Sequence, residues 1–199
     1  AEEHLASTLF VGSGEMASRC RAFDWASTPL GPISTWSQSL RATVGIVLEC
    51  RNPMFLWWGP ELVQFYNDAY RPSLGLGDRD SRALGARGRE FWTDIWGAIG
   101  PQIEQVMTTG EATWHEDQYL PIERNGRLED VWWTYSYSPV RDNGKIAGVL
   151  VVCQETTARV TMIAARESLL AAERAARLDA DAAPETRAQV FAKAPVAIA

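Results

Sequence analysis

The chain has 199 residues, 46% of them hydrophobic, and a formal net charge of −6. That length buries one good core and part of a second, and no apolar run reaches the roughly 20 residues of a membrane-spanning helix. The acidic balance removes the basic face on which a nucleic-acid partner depends, so that class is set aside. Three cysteines, Cys20, Cys50 and Cys153, form no CxxC pair and leave one thiol over in any disulfide scheme, which points to a reducing, cytoplasmic compartment. No basic stretch followed by an apolar core opens the chain, so a secretory leader is not expected.

In chain order, residues 1–50 read as an N-terminal extension. Gly12-Ser13-Gly14 lacks both the preceding strand and the following Lys-Ser/Thr of a phosphate loop, and reads as a turn. Phe23-Asp24-Trp25 and Thr28-Pro29-Leu30-Gly31-Pro32 suggest a proline-stiffened wrap. Thr35 and Gln38 make a capping-box pattern, after which Leu40, Val44, Val47 and Leu48 share one face of a helix ending near Cys50. Such a helix needs a surface to cover, its own or a partner's.

Residues 51–157 read as the core domain. Two short strands at 54–58 and 62–66 flank Gly59-Pro60, and Asn67-Asp68 offers an N-cap for a short helix through Tyr70. Between 92 and 108, Ile95, Ile99, Ile103, Val106 and Met107 share a helical face; Pro101 should kink that helix and Gly110 should end it. Three β-type runs follow at 112–122, 131–140 and 146–153, with Asn-Gly pairs at 125–126 and 143–144 between them. Asn-Gly tolerates positive φ at both turn positions, so each pair predicts a type I′ hairpin and the three runs an antiparallel meander. The fold class is α+β. Residues 158–183 read as a helix in which Met162, Ala165, Leu169, Ala172 and Ala176 form a thin stripe at heptad-like spacing, the start of a coiled coil. Asp179 to Thr186 reads as a polar linker.

The order of elements resembles a PAS domain, and several motifs carry the likeness. Asn67-Asp68-Ala69-Tyr70 resembles the family's Asn-x-Ala-aromatic, Leu84-Gly85 its Leu-Gly before the long helix, and Ser138 to Gly144 its Ser-Pro-(Ile/Val)-x-Asp-x-Gly hairpin. Glu155-Thr156-Thr157 stands where the family usually has Asp-x-Thr, with Glu replacing Asp. The extension, with Trp36 and Ser39-Leu40-Arg41, is similar to one found on bacterial sensory PAS domains, often in hybrid histidine kinases. The resemblance covers roughly residues 10–160. It implies a PAS fold: a five-stranded antiparallel sheet with helices on one face, an N-terminal helical extension and a C-terminal signalling helix. Residues 184–199, from Phe191 to Ile198 above all, look like a linker and the start of a second PAS domain, so a longer parent with downstream domains is expected.

In such a fold the sheet and helices enclose a cavity. Strand alternation and the resemblance together give its lining as Leu56, Trp58, Trp92, Trp96, Ile99, Trp133, Tyr135, Tyr137, Val149, Val151 and Cys153. This wall suits a planar aromatic ligand, yet rings burying about 150 to 250 Å² each also fill an interior by themselves, and a filled or nearly filled core is the preferred reading. No cysteine lies between Cys50 and Cys153, which excludes the covalent flavin chemistry of LOV domains. Only His4 and His115 are present, so haem is disfavoured, while non-covalent flavin stays open. Glu116-Asp117 and Glu129-Asp130 have no His or Cys partners for a metal, and Ser136 and Ser138 have no triad partner, so no metal or catalytic residue is assigned. The expected function is a sensory, homodimeric domain of a signalling protein, a histidine kinase above a diguanylate cyclase or phosphatase; the alternative is a ligand-free dimerisation module.

Overall fold

The computed structural model describes residues 2–75 and 77–192, with side chains to residue 181. A five-stranded antiparallel sheet runs in the order β2-β1-β7-β6-β3, built from β1 (Met54–Trp58), β2 (Val63–Tyr66), β3 (Thr113–Tyr119), β6 (Trp132–Asp142) and β7 (Lys145–Glu155). β4 (Ile122–Arg124) and β5 (Arg127–Glu129) form a separate two-stranded ribbon. Asn143 and Gly144, at φ 49° and 80°, join β6 directly to β7 as a two-residue type I′ turn. Asn125 and Gly126, at φ 54° and 74°, make the same turn, but at the tip of the ribbon rather than between two strands of the main sheet. The main sheet is interrupted there for a local reason. β3 is bulged between His115 and Gln118, Asp117 sits at φ 48°, and Pro121 offers no N–H to continue the ladder.

The N-terminal extension covers its own sheet. It comprises α1 (Glu2–Leu9), α2 (Glu15–Ala22), two short 3₁₀ turns and α3 (Gln38–Glu49). Ser37, not Thr35, caps α3, its Oγ accepting the Leu40 N–H at 3.2 Å; Thr35 ends the preceding 3₁₀ turn and donates its hydroxyl to Pro32 O. Leu40, Val44 and Val47 are buried as the periodicity predicts. Trp25 stacks on Phe65 of β2 at 4.7 Å, and Trp36 meets the same ring edge-on at 5.6 Å. Contacts of this kind add about 0.5 to 1.5 kcal/mol each beyond area burial.

Polar contacts tie the extension down as well. α4 (Arg71–Leu74), α5 (Asp78–Ala83), α6 (Gly88–Phe91) and α7 (Trp96–Thr109) connect the two parts of the sheet. Asp80 of α5 accepts from Arg19 of α2 and from Arg71 of α4, both at 3.0 Å, and from the Tyr66 hydroxyl at 3.1 Å. Asp68 accepts the Met16 N–H at 3.1 Å, so its carboxylate occupies the first turn of α2 where the Gly12-Ser13-Gly14 turn leads in. A side chain at Gly14 would run into that carboxylate. Asn67, fully buried, makes the expected i+3 side-chain bond to Tyr70 N, but residues 68–70 form a turn rather than a helix. Its Oδ1 accepts from Met54 N and Tyr70 N, and its Nδ2 donates to Cys50 O and Asn52 O, which pins the entrance of β1 to the end of β2. α7 starts at Trp96, is continuous through Pro101, and ends at Gly110 with φ 73°.

β7 passes through Thr156 into α8 (Thr157–Ala192), which spans the stretch expected to be a linker. Residues 193–198, part of the segment read as a second PAS opening, lie outside the described residues. Among the described residues no helix is long and apolar enough to cross a membrane.

Candidate functional site: an aromatic cavity and the strand that leaves it

A cavity of about 50 Å³ lies on the inner face of the sheet. On β6, Trp133, Tyr135 and Tyr137 alternate as buried residues and line it, with Val151 and Cys153 of β7 opposite. Trp92 and Ile99 also line it as expected. Six further residues complete the wall: Phe55 and Trp57 of β1, Tyr70, Ile95, and Leu120 and Ile122 at the base of the ribbon.

Four expected lining residues lie elsewhere. Leu56 and Trp58 point to the opposite face, where Leu56 pairs with Phe65 beneath the extension. All five β1 residues are buried, so hydrophobicity carried no information about which face each one takes. Trp96 opens α7 rather than continuing a helix from Trp92; it sits half-buried under the Arg89 guanidinium at 5.1 Å. Val149 is on the inner face but fully buried opposite Trp57 and Pro139, short of the cavity. The additional residues were harder to read: Tyr70 was visible in the Asn-x-Ala-aromatic motif, whereas Leu120 and Ile122 reach the cavity only because the ribbon folds over it.

The wall is mostly apolar and carries no charged side chain among the described residues. Burial pushes the Tyr70 and Tyr137 hydroxyls well above their ordinary range and the Cys153 thiol up to about 12, so Cys153 stays protonated and unreactive at neutral pH. Tyr135 is also raised by burial, against a hydrogen bond with Gln102 at 3.0 Å. His115 does not line the cavity; it is half-buried on the edge strand, stacked on Tyr135 at 5.0 Å. The Trp92 and Trp133 indole N–H groups are buried and have no acceptor among the described residues. Arg79, which does not line the cavity, lies 4.8 Å from the Trp92 ring centroid while Asp94 binds it at 2.9 and 3.0 Å and Glu123 O accepts from it at 2.7 Å. Drug-sized pockets run to roughly 300–1,000 Å³. At about 50 Å³ this cavity lies far below that range.

The ribbon that roofs the cavity also grips the strand that leaves it. Arg124 donates to both oxygens of Glu155 at 2.8 and 3.1 Å and to Glu129 at 2.9 Å. Burial opposes ionisation of Glu155, but the Arg124 hydrogen bonds outweigh it and hold the carboxyl below its usual range. Next along the chain, Thr156 N donates to Trp132 O at 2.7 Å, and Thr157 Oγ1 accepts from Trp132 N at 3.1 Å. The Glu155-Thr156-Thr157 motif is therefore a clamp joining the ends of β7, the start of β6 and the ribbon.

No curated protein matches the chain. Similar solved structures include the PAS domain of a Colwellia psychrerythraea protein (12% identity, 59% of this chain and 97% of that one, TM-score 0.43). The PAS domain of Bordetella pertussis BvgS (17%, 66% and 97%, TM-score 0.40) and a Rhodobacter sphaeroides LOV protein (15%, 59% and 66%, TM-score 0.46) are others. The family profile described as PAS fold matches residues 61–161, more than half of the chain. The sheet order agrees with that match, and the chain belongs to the PAS-fold family.

Proposed function

We propose that this domain is the sensory and pairing module of a larger cytoplasmic signalling protein, with a histidine kinase as the parent, and that it relays a change at its core through α8. The carrying observation is the Arg124 clamp. Ile122 lines the cavity two residues before Arg124, and Arg124 holds Glu155 two residues before α8 begins. A shift of the ribbon of an ångström or so would alter two charge-assisted hydrogen bonds at the root of the helix. The needed bias is a few kcal/mol, within one ligand's differential affinity.

Pairing is assigned to α8 because Met162 and Leu169 stand 71% and 70% exposed seven residues apart, an apolar seam that another helix would cover. Leu169→Glu is expected to raise the monomer fraction in light scattering; an unchanged mass would remove α8 as the pairing element. A second reading, a ligand-free dimerisation module, draws support from the small cavity. Native mass spectrometry separates the two: a co-purified mass lost on denaturation supports sensing, and a clean apo dimer supports pairing alone.

A further inference from the structure

We propose that α5 couples the N-terminal extension to the root of α8, so that the seating of α2 on the core sets how firmly Arg124 holds Glu155. This rests on the ribbon-to-α8 relay proposed above and adds an input to it that does not pass through the cavity. Arg79 and Asp80 are neighbours on α5, and at 3.6 residues per turn their side chains leave the helix roughly 100° apart. Each serves a different part of the molecule. Asp80, 5% exposed, accepts from Arg19 of α2 and Arg71 of α4, both at 3.0 Å, and the Tyr66 hydroxyl donates to its backbone carbonyl at 2.8 Å. On α2, Glu15 braces Arg19 at 2.9 Å. Arg79 serves the ribbon, donating to Glu123 O at 2.7 Å while Asp94 holds both its terminal nitrogens.

Two observations make α5 the element that carries a displacement. Its sequence, Asp78-Arg79-Asp80-Ser81-Arg82-Ala83, has alanine as its one apolar residue, so little apolar burial fixes it and its position depends on the ties of Arg79 and Asp80. The ribbon is also seated against the neighbouring helix. A Cβ on Gly75, at the end of α4, would come within 2.9 Å of Arg124 Cβ and Asn125 Oδ1, and α4 is itself tied to Asp80 through Arg71. β4 is thus held to both helices, and Arg124 follows Glu123 directly. Its bonds to Glu155 at 2.8 and 3.1 Å end the path, and Glu155 accepts the Thr157 hydroxyl at 2.9 Å in the first turn of α8. Every link from Arg19 to Thr157 has a charged group on at least one side, the class of hydrogen bond that is strongest and most demanding of geometry.

Coupling of this kind is a measured energy rather than a chain of contacts, so the test is a double-mutant cycle read by native-state hydrogen exchange on the whole chain. Arg19→Gln leaves Asp80 paired with Arg71 and Tyr66. It is expected to speed exchange about three- to tenfold at residues 79–83, 122–129 and 154–157 while the β1 amides keep their rates. In an Arg79→Gln background the same substitution is expected to act on α5 alone, because the link to the ribbon is already cut. Faster exchange confined to α5 in the Arg19→Gln protein would overturn the path, as would an effect at 154–157 that persists without Arg79. A rise spread evenly over β1 and the rest would mean lost global stability and would overturn it too. Arg124→Gln measured in parallel keeps the two readings apart: if it quickens 154–157 and Arg19→Gln does not, the relay stands and the extension's input falls, and if neither does, both fall.

Discussion

Asp80 shows how one buried carboxylate earns its place here. Burial alone would raise its pKa, but hydrogen bonds from Arg71 and Arg19 outweigh that and hold it below the ordinary value of 3.8. A depressed carboxyl contributes stability in full above its unfolded pKa, and that contribution is lost as pH falls through the folded value. Acid melts are therefore expected to lose the contribution of the Asp80 ties, though not the aromatic contacts of the extension, as pH falls below about 3.8. Asp80→Asn should cost about 1.5 to 3 kcal/mol at neutral pH and flatten that acid dependence, as read by urea titration across pH. Trp133 belongs to the same scale. Its ring fills the inner face beside a small cavity, so Trp133→Ala is expected to cost about 3 to 5 kcal/mol in thermal or urea unfolding.

Among the elements, the β4–β5 ribbon carries the sharpest consequence. Its attachment to β7 runs through one guanidinium that serves two carboxylates. Arg124→Gln should leave the main sheet intact, cost about 1 to 3 kcal/mol, and speed hydrogen exchange at residues 120–131 and 154–157 together. Exchange that rises in the ribbon but not at the root of α8 would break the proposed relay. The ribbon was also the least legible element in the sequence. Its Asn-Gly turn was visible, yet a turn motif specifies a local bend and not which strands lie on either side of it. β1 failed differently: with both faces buried, MFLWW offers no alternation to read, and Phe55 and Trp57 rather than Leu56 and Trp58 reach the cavity. β6, with one face partly open, alternates in burial over residues 132–137, and the period of two is legible in its sequence.

For the whole molecule, the extension is part of the fold. Trp25, Trp36 and Phe10 form an aromatic cluster over Phe65, and Arg19 and Met16 add polar ties to Asp80 and Asp68. Removing residues 1–50 is expected to expose Phe65, Leu56 and Val63 and to give an aggregating or strongly destabilised product, measured by soluble yield and melting temperature. A truncated domain that stays soluble with an unchanged melt would show that the sheet needs no cover.

By itself the sequence determined the elements with one-sided periodicity or an obligatory backbone conformation: α3, α7 with Gly110, the two type I′ turns, the β6 alternation and the family motifs. These are local, because a solvated face or a positive φ leaves its mark in neighbouring residues. Only the tertiary structure decided which face β1 presents, that the extension covers its own sheet, that Asp68 and Asn67 serve distant segments, and that Arg124 reaches Glu155. Each of those depends on groups far apart in the chain, and such contacts leave no period in the sequence to read.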